Sequence, residues 1–190
     1  SSEQALIPFQ VEAGAAVIYC EWIQRRHQNK GYARMLFNAL TKQLDEQGYK
    51  GLLVAATDDE GYMHHAHFDQ RGFQTLDQAG GVRLMYHPLR AERIAVQPLD
   101  LRIPRTHRVP VEVVVFTGGF CPHEVSTALL TLEVAREFGK RVKLKTVPVT
   151  KQNLLTYGAA SGAFINGQHL PAAAPEEKIR QAILEALEGK

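Results

Sequence analysis

The densest run of chemistry-bearing side chains in this 190-residue sequence is Arg25-Arg26-His27-Gln28-Asn29-Lys30-Gly31-Tyr32-Ala33-Arg34. Suppose that a strand runs into this stretch and a helix leaves it. The N–H groups of the first helical turn then have no intrahelical acceptor, and the positive end of the helix dipole adds to them. Such a turn suits an anion. Arg25, Arg26, Lys30 and Arg34 supply charge for phosphates, while Gly31 and Ala33 keep bulk out of the way. The same pattern also suits a solvated basic loop leading into a core helix, and charge and glycine alone do not separate the two.

Two further groupings could carry chemistry. Cys121 follows Gly118-Gly119-Phe120 and precedes Pro122-His123-Glu124, at the expected opening of a helix, where the dipole favours a thiolate. The Glu124 carboxylate opposes that, so a small buried scaffold cysteine and a monothiol role both stay open. His64, His65 and His67 stand close together but have no carboxylate or Cys at ligand spacing, so no metal is expected.

The elements that position these residues follow from hydrophobic pattern. Residues 15–23 read as a strand and 31–47 as a helix striped by Leu36, Leu40 and Leu44, with Ala33 and Phe37 widening the stripe and Gly48 at its stop. The continuous apolar run in 51–57 suits a strand buried on both faces. A short helix over 61–71 and strand-like residues over 73–86 complete this half. Downstream, 111–116 reads as a buried strand, Val125, Leu129 and Leu132 as a helical stripe ending at Gly139, and 141–149 as a strand with one wet face. A short helix near 153–157, a strand at 163–165, the hairpin signal Asn166-Gly167 and a helix striped by Ile179, Ile183 and Leu187 finish the chain.

Pro88, Pro98, Pro104 and Pro110 interrupt any helical period between the halves. The expected organisation is a first domain over 1–88, a linker over 89–110 and a second domain over 111–190. Composition sets wider bounds. The chain is 45% hydrophobic and 22% charged with a net charge of +2, an ordinary globular balance that gives no argument for nucleic-acid or membrane-surface binding. No apolar run reaches the length of a membrane span, and the first residues lack a signal-peptide pattern. Two cysteines 101 positions apart, with no CxxC, suit a reducing compartment, so a cytoplasmic location is expected.

The spacing Gln28-x-x-Gly31-x-Ala33 between a strand and an apolar helix resembles the pyrophosphate loop of the GNAT N-acetyltransferase superfamily, and Gly72-Phe73 is similar to the Gly-Phe that closes a later helix there. The resemblance covers roughly positions 15–88. It implies acetyl-CoA as cofactor, with its pyrophosphate on Gln28, Asn29, Lys30, Gly31, Tyr32, Ala33 and Arg34 and its pantetheine arm beside Trp22, Ile23 and Gln24. It also implies an amine acceptor, with Glu21 as the nearest base. The sequence departs from the family at three places. Phe68 stands where a proton-donating Tyr is common, and Gly61 where an Asn is common. Only about 14 residues precede the first strand, so a longer chain or a second chain would have to complete the acceptor side.

The order β-α-β-(α)-β-β-α in 111–190 is similar to the thioredoxin fold, with Cys121-Pro122-His123-Glu124 standing where a CxxC would be and Ser161 where a cis-proline is usual. Together the halves resemble YoaP-like acetyltransferases. The expected fold class is therefore α/β (α+β): a partial GNAT-like mixed sheet followed by a thioredoxin-like domain. The expected function is transfer of an acetyl group from acetyl-CoA to a small-molecule or peptide amine. The alternatives are a non-catalytic CoA-binding or interaction protein and a monothiol redox protein using Cys121. A splayed strand edge leaves a homodimer open.

Overall fold

The computed structural model describes residues 2–58, 63–79, 82–101, 110–159 and 161–189. It is an α+β protein whose chain divides into two compact units, Ser1–Leu99 and Asp100–Lys190.

The first unit is built on a four-stranded sheet. β2 (Ala15–Ile18) runs parallel to β3 (Gly51–Thr57), which pairs antiparallel with β5 (Val82–Pro88), and β5 pairs antiparallel with β4 (Gln74–Ala79). The apolar run in β3 is buried on both faces, as its pattern requires. Leu52, Val54 and Ala56 pack with Met85, Phe68, Phe73 and Leu44 on one side, while Leu53 packs with Leu84, Tyr86, Ile7 and Phe9 on the other. Each of the larger aliphatic, Met and Phe side chains among these contributes roughly 1.5–3 kcal/mol of burial. Two helices lie against the first face: α1 (Tyr32–Glu46) and α2 (His65–Asp69).

Several boundaries differ from the sequence reading. The strand expected over 15–23 stops at Ile18, because its pairing with β3 ends at Ile18 opposite Val54, and residues 19–24 carry no regular structure. Beyond that point the Glu21 N–H donates to Met63 Sδ at 3.4 Å instead of to a strand. The single strand-like segment 73–86 is a hairpin of β4 and β5 with a register shift between Thr75 and Asp77. The helix expected over 61–71 is described only as α2, since 59–62 lie outside the described residues. The stripe on α1 is also rotated: Leu36 is 60% exposed and Leu40 37% exposed, whereas Phe37 and Leu44 pack against the sheet.

The segment 89–110 is not all connector. β6 (Val96–Pro98) pairs antiparallel with β1 (Phe9–Val11) in a small second sheet that belongs to the first unit. Proline is tolerated there because it closes a short edge strand, and the next N–H, of Leu99, reaches Pro8 O at 3.0 Å. Residues 102–109 of the expected linker lie outside the described residues.

The second unit follows the expected order: β7 (Val111–Thr117), α3 (Pro122–Glu137), β8 (Val142–Pro148), α4 (Lys151–Tyr157), β9 (Ala163–Ile165), β10 (Gln168–His169) and α5 (Glu176–Leu187). Its sheet runs β10-β9-β7-β8, with β7 parallel to β8 and the remaining pairs antiparallel. Asn166 (φ 46°) and Gly167 (φ 82°) form the tight hairpin between β9 and β10. Ile179 and Ile183 are fully buried, as their spacing predicts. On α3 the stripe is displaced. Leu129 is 58% exposed, and the buried face is Thr127, Ala128, Thr131, Val134 and Ala135. The two threonines enter the core because their hydroxyls donate back to His123 O (3.1 Å) and Thr127 O (2.7 Å).

Candidate functional site

The loop ahead of α1 is shaped by local bonds. Arg25–His27 makes one 3₁₀ turn, closed by the His27 N–H on Gln24 O at 2.7 Å. The Gln28 side-chain Nε2 donates to Ile23 O at 3.0 Å and ties the turn to the segment before it. Asn29 (φ 60°) and Gly31 (φ 78°) both adopt the left-handed conformation, which asparagine tolerates and glycine adopts without strain.

Gly31 is the N-cap residue of α1. It has no side chain to accept a bond, so the first-turn N–H groups are uncapped. No acidic residue stands in that turn, and Arg25, Arg26, Lys30 and Arg34 are exposed with no carboxylate partner among the described residues. A Cβ added at Gly31 would meet nothing within 4 Å. Packing therefore does not demand glycine here; the backbone conformation does, and the space in front of the helix end is open. These features fit a diphosphate.

The loop opens into a cleft of about 800 Å³ whose far wall is α2 and its flanks. The cleft is lined by the irregular segment that follows β2, by the start of α1 and by α2 and its flanks. Of the residues expected to hold a cofactor, Trp22, Ile23, Gln28, Asn29, Gly31, Tyr32, Ala33 and Arg34 line it; Gln24 and Lys30 belong to the same loop but do not. Trp22 is 59% exposed, and Tyr32 sets its ring edge-on to His27 at 6.0 Å.

Glu21 also lines the cleft, but its carboxylate is committed. It accepts a hydrogen bond from the Arg71 guanidinium, which itself lies over the rings of Phe37 and Phe68, each at 5.8 Å. A base held this way must first break an ion pair. Phe68 is 2% exposed and packs on Phe73 at 5.5 Å, so the position that could have carried a hydroxyl is part of the core.

The sequence reading weighed the histidines only as metal ligands and missed their place in the cleft. Among the described residues no group of three or more His, Cys, Asp or Glu is arranged for a metal. His64 caps α2, its Nδ1 accepting the Ala66 N–H at 3.3 Å. His65 turns away to Asp69 (3.0 Å) and Asp58 (3.7 Å). His64 and His67 line the cleft together with Met63, Gln70 and Arg71. The signal was present: positions 64, 67 and 71 share one face at helical spacing.

Cys121 belongs to the second unit. It is the N-cap residue of α3, as expected, but is 1% exposed. Both cysteines are thiols. Near the same end of β7, the His169 ring packs beside Phe164 at 4.8 Å with Nε2 3.3 Å from Ser161 O.

No protein-family model matches this chain, and no curated protein sequence matches it. Among the described residues no helix is long and apolar enough to cross a membrane.

Proposed function

We propose that the first unit binds acetyl-CoA and transfers the acetyl group to an amine. The observation that carries this reading is the uncapped N-terminus of α1 at a left-handed Gly31, opening on a cleft and preceded or flanked by four cations without carboxylate partners among the described residues. The strand order and the departure of β2 from β3 support it, because they leave an open sheet edge beside that helix end.

When bound, acetyl-CoA supplies an acetyl group activated as a thioester. The chain's own residues divide the remaining work. The N–H groups of Tyr32, Ala33 and Arg34 and the Arg34 side chain would hold the diphosphate, with Arg25, Arg26 and Lys30 adding positive charge from the same loop outside the cleft lining. Gln28 fixes the loop by its bond to Ile23 O, and Trp22 and Ile23, which line the cleft, would hold the arm of the cofactor. Two thiols and the absence of a CxxC accord with a cytoplasmic setting.

A second reading has its own observation. Glu21 is tied to Arg71 and Phe68 has no exchangeable proton, an arrangement that suits a protein which holds CoA without turning it over. Monothiol chemistry at Cys121 is disfavoured, because a thiol 1% exposed is not reached by a substrate. Calorimetric titration with acetyl-CoA and desulfo-CoA at moderate salt, followed by acetyl transfer to a polyamine and peptide panel, tests the proposal. Saturable binding with transfer supports it; binding without transfer favours the second reading; no binding of either compound overturns both.

A further inference from the structure

We infer that His67 is the proton carrier of the cleft, with His64 beside it as a fixed hydrogen-bond donor. This inference rests on the acyl-CoA reading of the same cleft.

It follows from eliminating the groups whose commitments are visible. Glu21 is held by Arg71, and that guanidinium is held in turn by two aromatic rings. Phe68 carries no proton to give. His65 is paired with Asp69 and Asp58. His27 and Tyr32 stand together on the phosphate side of the cleft, ring edge to ring at 6.0 Å, Tyr32 as the first residue of α1. His64 uses Nδ1 to accept the Ala66 N–H, so its ring proton sits on Nε2 and the ring serves as a donor of set orientation.

His67 remains. Its ring lies 6.3 Å from that of His64, lines the same cleft and makes no hydrogen bond among the described residues. The charged and titratable groups lining its surroundings are the His64 ring, the Glu21–Arg71 pair, which nearly cancels, and Arg34, Tyr32 and His27 of the facing loop. Imidazole is the side chain that exchanges a proton near neutral pH, which is what amine acylation requires.

The proton balance closes on His67. As the acceptor nitrogen forms its bond to the acetyl carbon, the neutral amine gives a proton to a ring nitrogen of His67. The C–S bond breaks with its electron pair on sulfur, and the imidazolium returns the proton to that sulfur. The ring ends the cycle as it began, and no other reactant is needed.

The test uses the full chain with labelled histidine imidazoles, titrated by NMR alone, with CoA and with desulfo-CoA, alongside acetyl-transfer kinetics of wild type and His67→Gln. The expected result is that CoA moves the His67 titration while desulfo-CoA moves it less. His67→Gln should still bind acetyl-CoA saturably, lose roughly 100-fold or more in kcat, and lose one limb of its pH profile. If acetyl-CoA fails to bind the wild type, the acyl-CoA reading itself falls. If CoA binds and the His67 titration does not move, or the variant keeps its kcat and pH limb, this inference alone is overturned. Should no amine in the panel be acetylated, the NMR titration decides.

Discussion

Gly31 is where backbone geometry and ligand access can be separated by substitution. Its φ of 78° lies in the left-handed region, and a Cβ there would touch nothing. Strain is therefore the whole structural cost of adding one: about 1–2 kcal/mol for Gly31→Ala. That is a fall of at least about 4–8 °C in the melting temperature of a unit of this size. Gly31→Asn relieves much of the strain, because asparagine visits this conformation, yet it still places a side chain in the open space before the α1 N–H groups. If one charge-assisted hydrogen bond to a phosphate is lost, affinity falls by about 1.5–3 kcal/mol, or roughly 10- to 150-fold. The expected pattern is thus that Gly31→Asn is the more stable variant and still a poor binder. The chain's single tryptophan, Trp22, lines the cleft, so its emission reports acetyl-CoA binding in the same samples used for melting. If Gly31→Asn binds acetyl-CoA as tightly as the wild type, the diphosphate is not held by this helix end and the reasoning fails.

Three other outcomes follow from single contacts. A Cβ at Gly51 would lie 2.4 Å from Tyr86 Cε2 and 2.5 Å from the His87 carbonyl oxygen on the paired strand, so Gly51→Ala should destabilise the first unit by about 1–3 kcal/mol. A urea midpoint unchanged from wild type would show that β3 and β5 are not in this register. Glu12 accepts hydrogen bonds from Lys50 Nζ (2.9 Å) and the Ala95 N–H (3.1 Å), which together hold its carboxyl below the usual range. A group depressed in the folded state stabilises above its unfolded pKa, about 4.3 for Glu, and loses that contribution as pH falls through the depressed value. Glu12→Gln should therefore cost stability at pH 7 and much less at pH 2; an equal cost at both would refute the pairing. Cys121, 1% exposed, should react with iodoacetamide at least about 100-fold more slowly in the native chain than in urea, and a comparable native rate would reopen thiol chemistry.

What the sequence disclosed depended on how local the governing interaction is. The Asn166-Gly167 hairpin was legible because its two positive φ angles are set by those residues themselves. The loop from Gln28 to Arg34 was legible for the same reason: a left-handed glycine, a helix start and nearby cations are all local. Helix α1 was legible as a helix but not in its facing. Apolar residues cover a broad arc of it, and Leu52, Val54, Met85 and Phe73, all distant in sequence, take Phe37 and Leu44 and leave Leu36 outside. On α3 the buried threonines read as polar until their hydroxyls are seen bonded to carbonyls one turn back. The pairing of β1 with β6 joins two three-residue strands across more than eighty positions and leaves no periodicity to read. The Glu21–Arg71 pair spans fifty positions, so a residue that looked free to act as a base proved to be committed.

The same distinction explains how a net charge of +2 is compatible with the proposed anion site. In the first unit Lys50 is matched by Glu12 and Glu92, Arg71 by Glu21, Arg83 by Asp58 and Arg90 by Asp45. Carboxylates and cations elsewhere in the unit largely cancel at contact distance, and their fields fade within about 10 Å at ordinary ionic strength. Arg25, Arg26, Lys30 and Arg34 have no such partners among the described residues and stand within ten positions of one another around an uncapped helix end. Overall charge averages this concentration away; only the folded pairing shows which cations are left over. These cations belong to the loop that leads into a helix start whose cap residue, Gly31, has no side chain and lines the cleft, so positive charge and backbone donors occur in one short segment. That convergence favours a compact, multiply charged anion such as a diphosphate over a long polyanion, which would need cations spread along a surface.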